Sequence, residues 1–210
     1  MKVLVKICGL TTPEAVAATV EAGADAAGFV FAESVRRVTP ARASELAALL
    51  PDEMTRIAVM RHPSPGEVAD LQAGFMPTFL QTDYEDFGAF EIAGPCRPLP
   101  VLRAGAALPP KLPPTILFEG PVSGSGETTD WAQAAKLARQ TRLILAGGLD
   151  PDNVGAAIDA VRPYGVDVSS GVESAPGQKD PERINRFVEA VRAAEQRMNS
   201  LDRHRSTEKS

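Results

Sequence analysis

Lys6 and Cys8, close to the start of the chain, could together move a proton. They lie two residues apart where residues 3–7 form a β-branched, apolar run that predicts a strand. Side chains two apart in a strand share a face, so the Lys6 ammonium could lower the pKa of the Cys8 thiol from about 8.5. A thiolate there could act as a nucleophile or a general base. The alternative is a buried, unreactive cysteine, which is the more common case.

Glu119 is a second candidate for proton transfer, because it ends the apolar run at residues 115–118. An acid at this position is either catalytic or the first solvated residue of a loop. Residues 120–126, which follow, contain three glycines and could close over a ligand or form a plain surface loop. The local sequence leaves both interpretations open.

Two glycine-containing segments follow predicted strands and could bind a phosphate. Gly147 and Gly148 run from a strand into a helix, and Ser170 and Gly171 follow the next strand. Glycines let backbone N–H groups approach an anion, and a helix N-terminus adds a favourable dipole. Tight turns are the alternative, but two such segments at consecutive strand ends favour phosphate binding in a barrel.

These residues fall at the ends of predicted strands that alternate with helices. The predicted strands span residues 3–7, 26–31, 56–60, 78–81, 99–103, 115–119, 143–146 and 166–169. The predicted helices span residues 13–21, 39–50, 64–72, 84–92, 129–140, 150–161 and 181–197. A hydroxyl residue followed by proline marks the start of each of the first three helices, at Thr12, Thr39 and Ser64. This alternation predicts parallel pairing, and eight strands suit a closed (β/α)₈ TIM barrel with its active site at the carboxyl ends of the strands. An open doubly wound sheet is the alternative.

The fifth strand has no helix after it in this prediction. Gly105 and the four prolines within residues 104–114 leave no room for one, so we expect a Pro-rich loop in place of helix 5. We predict a single α/β barrel domain over residues 1–199. Residues 200–210 are mostly polar and charged, and we expect them to form a disordered tail.

The composition narrows the function classes. The chain has 210 residues, with 22 Lys and Arg against 27 Asp and Glu and a formal net charge of −5, which argues against a general nucleic-acid binder. Two cysteines fit a reducing cytoplasm, and no apolar run approaches the ~18 residues of a membrane span. His62 and His204 have no neighbours at metal-ligand spacing, so we expect no metal site. We expect a cytoplasmic protein without nucleic-acid or membrane partners.

Five segments, in order from the first predicted strand to the last, carry a family resemblance. They read KICGLT at 6–11, GADAAGFVF at 23–31, GSG at 124–126 with DW at 130–131, LAGGL at 145–149 and DVSSGVE at 167–173. Together they resemble the phosphoribosylanthranilate isomerases of tryptophan biosynthesis. The resemblance implies a (β/α)₈ barrel without a cofactor and a small phosphorylated substrate. The implied reaction is the Amadori rearrangement of N-(5-phosphoribosyl)anthranilate to 1-(2-carboxyphenylamino)-1-deoxyribulose 5-phosphate. We expect a monomer or a weak homodimer.

The resemblance also implies roles for individual residues. Cys8 matches the family's general base, and Glu119 stands at the position of its general acid. Arg36 matches the arginine that meets the anthranilate carboxylate, a group that a guanidinium binds through two parallel hydrogen bonds. The predicted substrate-binding residues are Lys6, Arg36, Gln81 and Asp167, and the predicted phosphate-binding residues are Gly147, Gly148, Ser170 and Gly171.

Three departures from the family pattern stand out. Glu119 replaces an aspartate, which keeps the carboxyl group but adds a methylene. Strand four of the family ends Gln-Leu-His-Gly, whereas this chain reads Gln81-Thr82-Asp83-Tyr84 and lacks the histidine. Helix five is replaced by the Pro-rich loop. The departures at Glu119 and at Thr82-Asp83 leave open a non-catalytic phosphate-binding barrel. A further alternative is the isomerase of the histidine pathway, whose substrate has two phosphates and which uses a pair of aspartates where strand one here offers Cys8.

Overall fold

Eight parallel strands form a closed barrel in the computed structural model, which describes residues 2–121 and 129–207 (without the side chains of 201–207). The strands are β1 (Leu4–Cys8), β2 (Ala26–Val30), β3 (Thr55–Val59), β4 (Phe79–Asp83), β5 (Arg97–Arg103), β6 (Thr115–Glu119), β7 (Arg142–Leu145) and β8 (Gly165–Val168). They pair in chain order, and β1 pairs with β8 to close the ring. The predicted (β/α)₈ fold is therefore confirmed, and the open doubly wound sheet is excluded.

Six α-helices in the described residues surround the barrel. They are α1 (Pro13–Glu21), α2 (Pro40–Ala47), α3 (Pro65–Gly74), α4 (Trp131–Ala138), α5 (Val154–Val161) and α6 (Pro181–Thr207). The hydroxyls of Thr12, Thr39 and Ser64 cap the first three helices by accepting a backbone N–H, and a proline follows each cap. These helix starts are the signals that the sequence offered. No helix in the described part of the chain has the length and apolar character that crossing a membrane requires.

The structure differs from the sequence prediction in three places. Only a 3₁₀ turn, Tyr84–Gly88, follows β4, where the sequence predicts a helix over residues 84–92. Helix α6 continues to Thr207 instead of ending at residue 197, so it enters the segment predicted as a disordered tail. A small hairpin, β9 (Glu173–Ala175) with β10 (Gln178–Lys179), follows β8 and was not predicted. The expected loop at residues 104–114 is confirmed, because this segment contains no helix.

The alternation of side chains along the strands divides the apolar core into two layers. Inward-facing residues of five strands fill the barrel itself: Ala26, Ile57, Leu99, Val101, Leu117 and Ile144. The outward-facing residues pack against the helices. Lys6 and Cys8 share the inward face of β1, where Gly28 of β2 lies beside them, because a side chain at position 28 would meet Cys8 Sγ at 3.0 Å. The barrel interior at this level is therefore polar.

Asp25 holds the opposite, amino-terminal end of the barrel together. Its Oδ2 accepts hydrogen bonds from the Val5 N–H and from Arg192 Nη2, both at 2.9 Å, which joins β1 and β2 to α6. Burial by itself would raise the pKa of this carboxyl. The hydrogen bonds from Lys2, Val5 and Arg192 outweigh burial, so the pKa lies below its ordinary value. The residue is structural, as its position before strand two indicates.

Replacing Asp25 with asparagine is expected to lower the free energy of unfolding by about 1–3 kcal/mol, because an amide cannot satisfy all these donors. Since folding lowers the pKa, the contribution of the carboxylate is complete above its ordinary value of 3.8 and is lost as the pH falls below it. Urea unfolding at pH 7 and at pH 3 would measure this difference. The control is Asp159→Asn, whose exposed pair with Arg197 contributes little. Equal stabilities of the two variants at pH 7 would contradict this role.

Candidate active site

A cavity of about 230 Å³ opens at the carboxyl ends of the strands. Five of the ten predicted site residues line it: Cys8 from β1, Gln81 from β4, Glu119 from β6, Asp167 from β8, and Arg36 from the segment after β2. This is the edge at which a (β/α)₈ barrel holds its active site. The candidate base and the candidate acid therefore face one cavity.

Lys6 lies beneath this cavity and links its neighbours. Its side chain is fully buried, and Nζ donates to Asp167 Oδ1 at 2.8 Å and also hydrogen-bonds the Cys8 thiol. Burial alone would lower the pKa of Lys6, but the charges of Asp167 and Cys8 raise it to about 12. Lys6 is therefore a permanent cation at the cavity floor.

The predicted effect of Lys6 on the Cys8 thiol is only partly correct. Lys6 does favour the thiolate, as expected. Burial of the thiol and the nearby charge of Asp167 act in the opposite direction, and burial is the largest influence, so the pKa of Cys8 is raised rather than lowered. The strand period shows that the two residues share a face, but it does not show how far the thiol is removed from water.

Arg36 is held by a buried ion pair before any substrate arrives. Its Nε and Nη2 donate to the two carboxylate oxygens of Glu173, each at 2.7 Å, and Lys179 Nζ donates to the same carboxylate at 2.7 Å. Burial would raise the pKa of Glu173, but these partners lower it to about 2. Glu173 and Lys179 belong to the unpredicted hairpin, which explains why the sequence analysis assigned them no role.

Gln81 carries a polar atom that lacks a partner. Its residue is 6% exposed, and its Oε1 is buried without a hydrogen bond to any part of the chain that the structure describes. A buried oxygen of this kind is costly unless a partner occupies it. Because Gln81 lines the cavity, a donor group of a bound ligand can supply that hydrogen bond.

Glu119 is joined to β4 through a residue that the sequence analysis did not select. Arg103, the last residue of β5, donates from Nη1 to Glu119 Oε1 at 2.5 Å and from Nη2 to Asp83 Oδ1 at 2.6 Å. All three side chains line the cavity. Arg103 ends a strand in the same way as Glu119 does, so the barrel rule could have identified it. A basic residue there is otherwise indistinguishable from an ordinary solvated one.

The surroundings of His62 differ from those that the sequence predicts. The sequence places no metal-like neighbours near it, but the fold brings Asp83 and Asp86 within 4.8 Å of one another's ligand atoms and of the imidazole. His62 Nδ1 lies 3.0 Å from Asp86 Oδ1, and Nε2 lies 3.5 Å from Asp83 Oδ2. One imidazole nitrogen thus faces Asp83 at the end of β4, and the other faces Asp86 in the 3₁₀ turn that follows, so the exposed histidine extends the Arg103 ion pair outward.

The predicted phosphate-binding residues lie in two loops that pack against each other and do not line the 230 Å³ cavity. Gly147 and Gly148 have φ values of +90° and +63°, a region that side chains rarely adopt. A side chain at Gly171 would lie 2.0 Å from the Leu149 carbonyl oxygen, so only glycine fits there. Ser170 begins the 3₁₀ turn Ser170–Val172, which follows β8.

Comparison with known proteins gives one consistent match. A family model for N-(5'phosphoribosyl)anthranilate (PRA) isomerase matches residues 111–190. The N-(5'-phosphoribosyl)anthranilate isomerase of Streptococcus pneumoniae (strain Taiwan19F-14) is 40% identical over 190 residues, which cover 90% of this chain and 95% of that protein.

Solved structures agree with this match. The crystal structure of phosphoribosyl anthranilate isomerase from Thermotoga maritima has a TM-score of 0.79 and 32% identity, and the match covers 91% of this chain and 99% of that one. A second phosphoribosyl anthranilate isomerase, solved in complex with reduced 1-(o-carboxyphenylamino)-1-deoxyribulose 5-phosphate, has a TM-score of 0.76 and 32% identity with the same coverage, 91% and 99%.

Proposed function

The chain belongs to the N-(5'-phosphoribosyl)anthranilate isomerase family of tryptophan biosynthesis, and we propose that its cavity performs the isomerisation with Cys8 as general base and Glu119 as general acid. The enzyme converts N-(5-phosphoribosyl)anthranilate to 1-(2-carboxyphenylamino)-1-deoxyribulose 5-phosphate. The observation that carries the proposal is the meeting of a buried thiol and a carboxyl group in one cavity beside an unpartnered amide oxygen.

The chemistry requires one acid and one base. Protonation of the furanose ring oxygen breaks its bond to C1, and the anthranilate nitrogen becomes part of a Schiff base. Removal of the proton at C2 then gives an enolamine, which tautomerises to the ketone product. Side chains that donate and accept protons catalyse both steps without covalent attachment to the substrate. Glu119 serves the first step and Cys8 serves the second.

Lys6 and Asp167 support the base. The Lys6 ammonium hydrogen-bonds the Cys8 thiol and stabilises the thiolate, whereas burial of the thiol disfavours it. Asp167 compensates the charge of Lys6 at 2.8 Å and lines the cavity. Asp167 is thereby placed to accept a hydrogen bond from a substrate hydroxyl, while Gln81 Oε1 can accept another.

We propose that the loops after β7 and β8 bind the phosphate of the substrate. Gly147 and Gly148 have left-handed backbone and no side chain that would keep an anion away from their N–H groups, and Gly171 lets the loop after β8 pack against Leu149. Barrels commonly bind phosphate at these two loops. Ser170 adds a hydroxyl donor.

Arg36 is proposed to bind the anthranilate carboxylate. Glu173 occupies two of the five N–H donors of a guanidinium, so Arg36 can bind a second carboxylate without releasing the first. Glu173 keeps its charge over the physiological pH range, because its pKa is about 2. The guanidinium is therefore oriented in advance.

Replacing Arg36 with lysine is expected to raise KM by about 10- to 100-fold with a smaller change in kcat, because a hydrogen bond to a charged group is lost. Steady-state kinetics would measure both parameters. The matched control is Arg37→Lys at the next, exposed position, which should behave as the parent does. An unchanged KM for Arg36→Lys would remove this residue from carboxylate binding.

The compartment, the domain bounds and the oligomeric state are also part of this proposal. The acidic chain with two free cysteines fits the cytoplasm. We expect one barrel domain over residues 1–199, followed by the polar segment 200–210 into which α6 continues as far as Thr207, and a monomer or weak homodimer. Sedimentation over a range of protein concentrations would establish the oligomeric state.

Growth complementation would test the function in a cell. A bacterial strain without its own phosphoribosylanthranilate isomerase would receive this chain and be plated on medium lacking tryptophan. We expect growth with the parent chain and none with Cys8→Ala. Failure of the parent to support growth, despite soluble expression, would favour the non-catalytic phosphate-binding barrel.

A further inference from the structure

Arg103 occupies the centre of an ion-pair chain at the edge of the active-site cavity. It ends β5 and lies beside Glu119 in the strand register, while β4 on the other side ends at Asp83. One guanidinium nitrogen contacts Glu119 at 2.5 Å and the other contacts Asp83 at 2.6 Å. Both carboxylates are largely buried, so neither is free to move far from this cation.

The two carboxylates therefore compete for one cation. A guanidinium is planar, and charge-assisted hydrogen bonds to its nitrogens fix the direction of each carboxylate. Arg103 favours the ionised form of Glu119, whereas a general acid must carry a proton. The negative charge of Asp83 offsets part of the positive charge of Arg103, so Arg103 favours the ionised form of Glu119 less strongly. The balance between the two contacts sets both the position of the acid and its readiness to hold a proton.

Two of the departures from the family pattern meet at this residue. Glu119 stands where the family has a shorter aspartate, and Asp83 stands where it has a histidine. We propose that Arg103 is a positioning residue for the general acid, and that Asp83 and Glu119 form one coupled unit with it. The inference rests on the proposed role of Glu119. The longer carboxyl group is drawn toward Arg103, which offsets its added reach, and the anionic Asp83 keeps Arg103 from binding Glu119 too tightly.

Other charged groups face this unit and must be considered in its test. Asp83 Oδ2 lies 3.5 Å from His62 Nε2, and His62 is in turn held by Asp86. A protonated imidazole would draw Asp83 away from Arg103. Charged residues elsewhere in the cavity wall are Glu33, Arg36, Arg61 and Asp167. The measurements are therefore repeated in a His62→Gln background, which removes the imidazole beside Asp83.

The first readout is the titration midpoint of Glu119, followed by ¹³C NMR of protein labelled at the glutamate carboxyl carbons. The resonance is assigned by its absence in Glu119→Gln. In Arg103→Met the midpoint is expected to rise by about one pH unit or more. In Asp83→Asn it is expected to fall, because the negative charge that offsets Arg103 is removed and Arg103 then acts more strongly on Glu119. Opposite shifts are specific to this coupling, since loss of packing would not produce them.

The second readout is kinetic. Arg103→Met is expected to lower kcat by about 100-fold with a change of only a few-fold in KM, because misplacing an acid affects the chemical step. Arg103→Lys keeps the charge and should restore part of kcat. Glu119→Asp should cost less in the Arg103→Met background than in the parent, which a double-mutant cycle measures. The control, Arg97→Met at the other end of β5, should match the parent in every readout.

Either of two results would overturn the inference. One is a Glu119 midpoint that stays in place in both Arg103→Met and Asp83→Asn. The other is a cycle in which the effects at positions 103 and 119 simply multiply. If Arg103→Met does not fold, Asp83→Asn and Arg103→Lys still provide the test. The NMR titration does not need turnover, so it separates failure of this inference from failure of the proposed acid–base function.

Discussion

Replacing Cys8 with alanine is expected to lower kcat/KM by about 10²- to 10⁴-fold while the barrel remains folded, because the C2 proton loses its acceptor. The thiol lines the cavity and contacts Lys6. Cys8 does not belong to the apolar layer that packs against the helices, so its replacement leaves that packing unchanged. Steady-state kinetics with purified protein would measure the loss, and circular dichroism would confirm the fold.

The second cysteine provides a matched control for this experiment. Cys96 is also free and buried, but it belongs to the apolar layer outside the barrel and does not line the cavity. Cys96→Ala should therefore retain the parent rate, although its stability can fall through loss of packing. A Cys8→Ala variant that turns over at nearly the parent rate would remove Cys8 from the mechanism.

Replacing Glu119 with glutamine is expected to reduce kcat/KM by about 10²- to 10⁴-fold, because an amide cannot deliver the proton that opens the furanose ring. Glutamine has nearly the size of glutamate and can still accept a hydrogen bond from Arg103, so the structure of the cavity edge should change little. The measurement is again kcat/KM at fixed pH.

Two comparisons sharpen the interpretation of Glu119→Gln. Glu119→Asp retains the carboxyl group with a shorter reach and should lose less activity than the amide variant does. Glu85→Gln, at an exposed position in the 3₁₀ turn after β4, should leave the rate unchanged. Normal turnover by Glu119→Gln would show that another group protonates the ring oxygen.

The sequence predicts the barrel and the edge that holds the site, because both follow from local patterns. Strand–helix alternation fixes parallel pairing, and parallel strands bring their carboxyl ends to one edge. That rule alone places Cys8, Gln81 and Glu119 at one edge of the barrel, although they are far apart in the chain. The capped starts of α1, α2 and α3 are equally local and equally well predicted.

What the sequence does not predict depends on distances between loops and on burial. The contacts of Arg103 with Glu119 and Asp83, and those of His62 with Asp83, join residues on different strands or loops, and no local spacing encodes them. The shift of the Cys8 pKa is missed for a related reason, since desolvation depends on every element that covers the thiol. The hairpin that positions Glu173 is not predicted from the sequence, because its strands are only three and two residues long.

A fluorescence assay on the purified chain tests most directly whether this cavity is an acid–base isomerase site. Phosphoribosylanthranilate would be generated in place from anthranilate and phosphoribosyl pyrophosphate by a transferase, and its decay would be followed with the parent, Cys8→Ala and Glu119→Gln. Rapid decay is expected with the parent, and near-background decay is expected with both variants. Decay that the parent does not accelerate, or that both variants accelerate equally well, would contradict the assignment of this cavity as an acid–base isomerase site.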